Sequence, residues 1–139
     1  MADKIGDVMT PDPATSEPSD SVLDAARAMR DGDFGAVVVV EGGQVRGILT
    51  DRDIVLRAVA EGKDPKKTEV RGVFTTDPAT LSPDDSIDDA IDAIRAADVR
   101  RLPVVEDGKV VGIVSIGDLA VARDERSALA DISAAPPNN

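Results

Sequence analysis

"GILTDRD" occupies Gly47–Asp53, and "GIVSIGD" occupies Gly112–Asp118. Each reads as a glycine, two aliphatics, a hydroxyl residue, two variable positions and an aspartate, and the two stretches lie 65 residues apart. The correspondence extends outward in both directions. Residues 8–55 align on 73–120 without a gap, and 22 of the 48 pairs are identical. "DPAT" recurs at Asp12–Thr15 and Asp77–Thr80, and "VVE" at Val39–Glu41 and Val104–Glu106. A match of this length at one constant offset is an internal duplication, so the fold to be explained is one unit written twice.

Each copy carries the same order of signals. A short apolar segment runs into a Pro-rich stretch, "VMTPDPATSEPSDS" and then "VFTTDPATLSPDDS". An amphipathic helix follows. Val22, Ala25, Ala26 and Met29 fall at i, i+3, i+4 and i+7, and Ile87, Ala90, Ile91 and Ile94 repeat the stripe. Acids near each helix start (Asp24; Asp88 and Asp89) suit the macrodipole. Two strands come next, Ala36–Val40 and Val45–Leu49, then Leu102–Val105 and Val110–Val114. Gly42-Gly43 and Asp107-Gly108 between them are two-residue hairpin signals. A second helix follows the quoted motif. In copy one its buried face is expected at Ile54, Val55, Ala58 and Val59; in copy two it is expected from about Gly117 to about Ile132.

The expectation is therefore an α+β fold of two β-α-β-β-α repeats. A repeat of this size buries too little surface to be comfortable alone. Two copies bury their apolar sheet faces by packing about a pseudo-twofold axis. On this reading residues 1–62 form the first domain, 63–69 a connector, 70–130 the second domain and 131–139 a disordered tail.

Composition narrows the function. The chain of 139 residues has a net charge of −11, which disfavours a phosphate backbone or an anionic membrane as partner. Its only aromatic residues are Phe34 and Phe74, too few for stacking on bases. Cys and His are absent, which removes disulfides, thiol chemistry, the commonest general base and the commonest zinc ligand. Without a nucleophile–base constellation, the chain is not expected to be an enzyme. The first residues show no signal-peptide pattern and the chain holds no long apolar run, so a cytoplasmic protein is expected. Lys63, Lys66 and Lys67 read as a solvated loop.

Two readings of the repeated motif stand side by side. A hydroxyl residue followed three positions later by an acid, at a strand-to-helix junction, is close to a capping box. Thr50 with Asp53 and Ser115 with Asp118 both fit it. The same geometry also suits a ligand. A hydroxyl and backbone N–H groups at a helix start hold phosphate, and an acid one turn in takes ribose hydroxyls. Gly47 and Gly112 would then let the ligand approach the strand.

The element order, the duplication, "GILTDRDIV" and "VRRLPVVEDGKVVGIVS" resemble a pair of cystathionine-beta-synthase (CBS) domains over about residues 5–125. With no catalytic domain in the sequence, the chain resembles a stand-alone pair, or Bateman module. "TDRD" in copy one and "VRRLPV" in copy two are similar to stress- and hypoxia-response proteins of actinobacteria. The resemblance implies a non-catalytic regulatory module that binds an adenosine-type nucleotide in the cleft between the repeats and signals to a protein partner. Thr50 and Ser115 would contact phosphate, and Asp53 and Asp118 would hold ribose. The base would lie near Thr15, Ala36 and Val37 in one site and near Thr80 and Leu102 in the other. Arg52, Arg100 and Arg101 are candidate phosphate contacts, or else surface arginines that offset an acidic chain. Asp51 reads as a solvated acid at the helix N-terminus; the alternative is that it repels phosphate and weakens the first site. No cofactor is required; the implied ligand is AMP, ADP or ATP, with or without magnesium. A homodimer is implied. The alternative is a ligand-free interaction or scaffold protein of a stress response.

Overall fold

The computed structural model describes residues 4–76, 79–97 and 99–126. The expected tail at 131–139 and the extension of the last helix towards Ile132 lie outside them. In chain order the elements are α1 (Ile5–Val8), β1 (Thr10–Pro11), β2 (Thr15–Ser16), α2 (Val22–Gly32), β3 (Ala36–Glu41), β4 (Gln44–Thr50) and α3 (Asp51–Ile54), then β5 (Thr75–Thr76), α4 (Ile87–Ala97), β6 (Arg101–Glu106), β7 (Lys109–Ser115) and α5 (Ile116–Arg126). A π-helical turn, Val55–Val59, continues α3, and a 3-10 turn, Val70–Gly72, precedes β5.

Local signals explain most of this order. Ser21 accepts a hydrogen bond from Asp24 N at 3.0 Å, and Ser86 from Asp89 N at 3.0 Å, which caps α2 and α4. Both hairpins turn on a pair of positive-φ residues, Gly42 and Gly43 (60° and 80°), then Asp107 and Gly108 (53° and 79°). That is the turn whose twist matches the strands it joins.

The chain divides into two compact units, and their membership departs from the repeat boundaries. One unit combines the leader through Pro11 with Ala79–Glu106 and the chain from Val111 onward. The other holds the chain from Asp12 through Thr76, with the hairpin tip Asp107–Val110. Each repeat thus donates its leader to the other repeat's unit. β1 pairs antiparallel with β7, with Pro11 opposite Gly112. β5 pairs antiparallel with β4, with Thr76 opposite Gly47. The anchoring bonds repeat as well. Ile5 N donates to Asp85 O at 2.9 Å and Gly6 N to Pro83 O at 2.9 Å; Val70 N donates to Asp20 O at 2.8 Å and Arg71 N to Pro18 O at 2.9 Å. The 1–62 and 70–130 division therefore follows the sequence repeat, while the compact units follow the exchanged leaders.

Each unit has an aliphatic core built on its own sheet. In the unit of copy two, Ile5 is fully buried among Leu81, Ile87, Ile94, Leu102 and Leu119. In the unit of copy one, Val70 and Val73 are buried among Val22, Met29, Val37, Val39 and Leu49. The expected α2 and α4 stripes face these cores through Val22, Ala25 and Met29, and through Ile87, Ala90 and Ile94.

One expected face is corrected. Val55 and Val59 are exposed, and of the four residues named for the helix after the motif only Ala58 is fully buried. The reason is the π turn, in which Ala60 N donates to Val55 O at 2.8 Å, five residues back. The widened turn leaves the small Ala58 against the core. It also lets the Arg57 guanidinium donate to Val73 O at 3.2 Å and Phe74 O at 3.4 Å.

Candidate functional site

The repeated motif folds into the same object twice. β4 ends at Thr50, and its hydroxyl accepts from Asp53 N at 3.1 Å while Asp53 Oδ2 accepts from Thr50 N at 3.0 Å. β7 ends at Ser115, and Ser115 Oγ accepts from Asp118 N at 3.1 Å while Asp118 Oδ2 accepts from Ser115 N at 3.0 Å. These are reciprocal capping boxes. All four side chains are half-buried. Each carboxylate commits one oxygen to the backbone, and its second oxygen makes no hydrogen bond among the described residues.

The turns differ in their remaining backbone donors. In copy one, Asp51 N donates to Gly35 O at 3.0 Å, and Arg52 N donates to the Asp51 carboxylate at 2.8 Å. Every N–H from Thr50 to Asp53 is thereby engaged. In copy two, Ile116 N donates to Arg100 O at 2.8 Å, but Gly117 N has no acceptor among the described residues. A second-position helix N–H has no intrahelical acceptor, so this donor faces outward. At the 65-residue offset the sequence sets Ile116 and Gly117 against Asp51 and Arg52, but that difference alone does not show the Gly117 N–H left open.

Strand alternation places the rest. Val38 N donates to Ala14 O at 3.0 Å, so Val38 and, two residues earlier, Ala36 turn their main-chain groups away from β4. Val37 turns its own towards its partner Leu49. In copy two, Leu81 N donates to Pro103 O at 3.0 Å and Val105 N to Leu81 O at 2.8 Å. Arg101 thus shares that outer edge, while Leu102 faces β7. Val37 and Leu102 also have fully buried side chains. Of the base-site candidates on these strands, Ala36 therefore holds outward main-chain groups and Val37 and Leu102 do not; in copy two the outward groups belong to Arg101, a phosphate candidate. Exposed Thr15 and Thr80 stand beside the same two edges.

The structure thus gathers Thr15, Ala36, Arg52, Thr50 and Asp53 in one unit, and Thr80, Arg100, Arg101, Ser115 and Asp118 in the other. Arg52 and Arg100 are exposed, and Arg101 is half-buried. None of the three belongs to an ion pair among the described residues.

The glycine reading is corrected. A Cβ at Gly47 would strike Thr75 O and the Phe74 ring, and a Cβ at Gly112 would strike Met9 Sδ and Thr10 O. The space beside each glycine is filled by an exchanged leader. These glycines admit a strand, so they are not the point of ligand approach.

Comparison with known proteins fits this construction. The CBS domain family model matches residues 5–59 and 70–125. The chain is 42% identical over 117 residues to the CBS domain-containing protein YhcV of Bacillus subtilis, covering 84% of this chain and 83% of that protein. A crystal structure of Hypoxic Response Protein I, with two coordinated zinc ions, superposes with a TM-score of 0.75 at 29% identity, covering 84% of this chain and 96% of the other. The hexameric CBS-CP12 protein from bloom-forming cyanobacteria superposes with a TM-score of 0.81 at 25% identity, covering 92% and 77%. The chain belongs to the CBS domain family and carries two CBS domains. Such pairs are generally regulatory and ligand-binding modules, and oligomers occur among its structural neighbours. No helix among the described residues is long and apolar enough to cross a membrane.

Proposed function

We propose that this chain is a non-catalytic, cytoplasmic regulatory module that binds an adenosine-type nucleotide (AMP, ADP or ATP), acts as a homodimer and signals to a separate protein partner. The observation that carries the reading is the difference between the two turns. Copy two offers the open Gly117 N–H, the second oxygen of Asp118, the outer edge at Arg101, and two arginines without ion-pair partners among the described residues. A backbone donor at a helix start with nearby guanidinium groups suits a phosphate. A half-committed carboxylate suits ribose hydroxyls. Copy one offers the same acid, but its Arg52 N–H is occupied by the Asp51 carboxylate, which would also repel phosphate. Copy two is therefore the principal site, with Ser115, Asp118, Arg100, Arg101 and Thr80 around it, and copy one is the weaker.

The zinc ions of Hypoxic Response Protein I do not transfer to this reading. The chain has no His and no Cys, and no acidic cluster among the described residues could replace them.

The test is a thermal-shift titration with AMP, ADP and ATP, with and without magnesium, on wild type, Asp53→Ala and Asp118→Ala. A ligand at 100 times its Kd adds about 2.7 kcal/mol. The expected result is a rise in Tm that Asp53→Ala keeps and Asp118→Ala loses. No shift with any nucleotide would favour the second reading, a ligand-free interaction or scaffold protein of a stress response. Its support is that both hydroxyl–acid pairs are already satisfied as helix caps.

A further inference from the structure

The unit of copy two contains a groove of about 260 Å³ between α4 and α5. Its apolar floor is Ile91, Ile94, Ile116, Leu119 and Ala120, and the only charged residues lining it are Arg95 and Arg123. Neither arginine belongs to an ion pair among the described residues. The pair of arginines on its rim, without ion-pair partners among the described residues, is particular to copy two. At the 65-residue offset, Arg95 corresponds to Arg30, which is held by Asp31 at 2.9 Å, and Arg123 corresponds to Ala58, which is fully buried.

Copy one carries the opposite shape. Val55, Leu56 and Val59 lie along one side of the turn that follows α3 and are 53%, 49% and 60% exposed. Three large aliphatics side by side on one helical turn form an unpartnered apolar strip. Exposed acids flank it, Asp51 before and Glu61 after. The exposed Arg57 is turned back onto the carbonyls of Val73 and Phe74.

We infer that the strip of copy one seats in the groove of copy two of a second chain. Aliphatic side chains meet an aliphatic floor, and Asp51 and Glu61 approach a rim bearing Arg95 and Arg123. Shape and charge both favour this pairing over strip against strip, which would bring acids together, and over groove against groove, which would bring arginines together. The inference rests on the homodimer in the proposed function and adds its orientation. Made twice about a twofold axis, the contact closes a dimer; made without closure, it propagates.

The chain has no Cys, so introduced thiols report without background. Chains carrying Val59→Cys and chains carrying Ala120→Cys are mixed in equal amounts, with a size tag on one, and oxidised. A disulfide needs Cα atoms within about 7 Å, so the product reports direct apposition. The expected product is the mixed pair, at least fivefold over either same-variant pair. Light scattering of the wild type should give two chains, and Leu56→Glu, checked for an unchanged circular dichroism spectrum, should give one. Arg95→Glu together with Arg123→Glu tests the same contact from the groove side and should also give one. A dominant Val59→Cys same-variant pair, or a wild-type dimer in which no pair cross-links, overturns the orientation and leaves the homodimer standing. A wild-type chain that is monomeric at micromolar concentration overturns both.

Discussion

Thr76 lies directly across the β4–β5 ladder from Gly47, and the chain just before it fills the space a side chain at Gly47 would need. The obstacle is the Thr75 carbonyl, part of the main chain, backed by the Phe74 ring. At Gly112 the nearest obstacle is the flexible Met9 thioether, with Thr10 O at 3.0 Å. Gly47→Ala should therefore destabilise more than Gly112→Ala. Overpacking of this kind costs about 1–3 kcal/mol, and the Gly47 variant should sit at or above the upper end. Tm should fall by roughly 3–5 °C per kcal/mol for a chain of this size. Equal falls would mean that both leaders yield equally.

The exchange also predicts where a leader mutation is felt. Ile5 is an N-terminal residue by sequence but a core residue of the unit holding copy two. Ile5→Ala should cost about 2–5 kcal/mol. Amide hydrogen exchange should accelerate in α4, β6 and β7 ahead of β3 and β4. Val70→Ala, its counterpart 65 residues on, should show the reverse pattern. If Ile5→Ala instead loosened β3 and β4 first, each leader would be stabilising its own repeat.

How much of this was legible beforehand follows from which interactions are local. Helix stripes, hairpin glycines and hydroxyl–acid spacing are short-range patterns, and α2, α4, both hairpins and both caps follow from them. The leader exchange is a long-range choice between two closely similar strands, β4 and β7. The sequence scores both alike because Ile48 and Ile113 are the same residue, as are Gly47 and Gly112. That ambiguity also misassigned the two glycines to a ligand. The π turn escaped because Ile54, Val55, Ala58 and Val59 fit a helical face; only the backbone widening shows which of them points out. The inequality of the two turns was half legible. Asp51 and Arg52 against Ile116 and Gly117 was visible, but the open Gly117 N–H required knowing that Asp51 closes on Arg52.

Arg57 ties the helical turn after the copy-one motif to the leader of copy two, through Val73 O and Phe74 O. Copy two has the buried Ala122 at the corresponding place and no such tie. Arg57→Met keeps most of the aliphatic stem and removes the donors. The expected loss is about 1 kcal/mol, since the carbonyls regain water more readily than a sealed core would allow. Amide exchange at Val73–Thr76 should rise while Met9–Pro11 stays unchanged. Unchanged exchange at Val73–Thr76 would show that the β4–β5 ladder holds the leader without the guanidinium.

The two caps offer a separation of stability from binding. Their four bonds match to within 0.1 Å between copies, so Thr50→Ala and Ser115→Ala should cost the same, about 1 kcal/mol each. Thr50→Ser and Ser115→Thr keep a hydroxyl in place and should cost little. Response to nucleotide should not be equal, because among the described residues only copy two has an uncommitted N–H beside its hydroxyl and arginines beside its strand. Ser115→Ala should lose most of the ligand-induced rise in Tm, while Thr50→Ala should keep it above a lowered baseline. If both alanine variants lose the rise equally, the Asp51 carboxylate must swing off Arg52 N when ligand arrives. Asp51→Asn would then strengthen binding at copy one, and a titration calorimeter would count two sites instead of one.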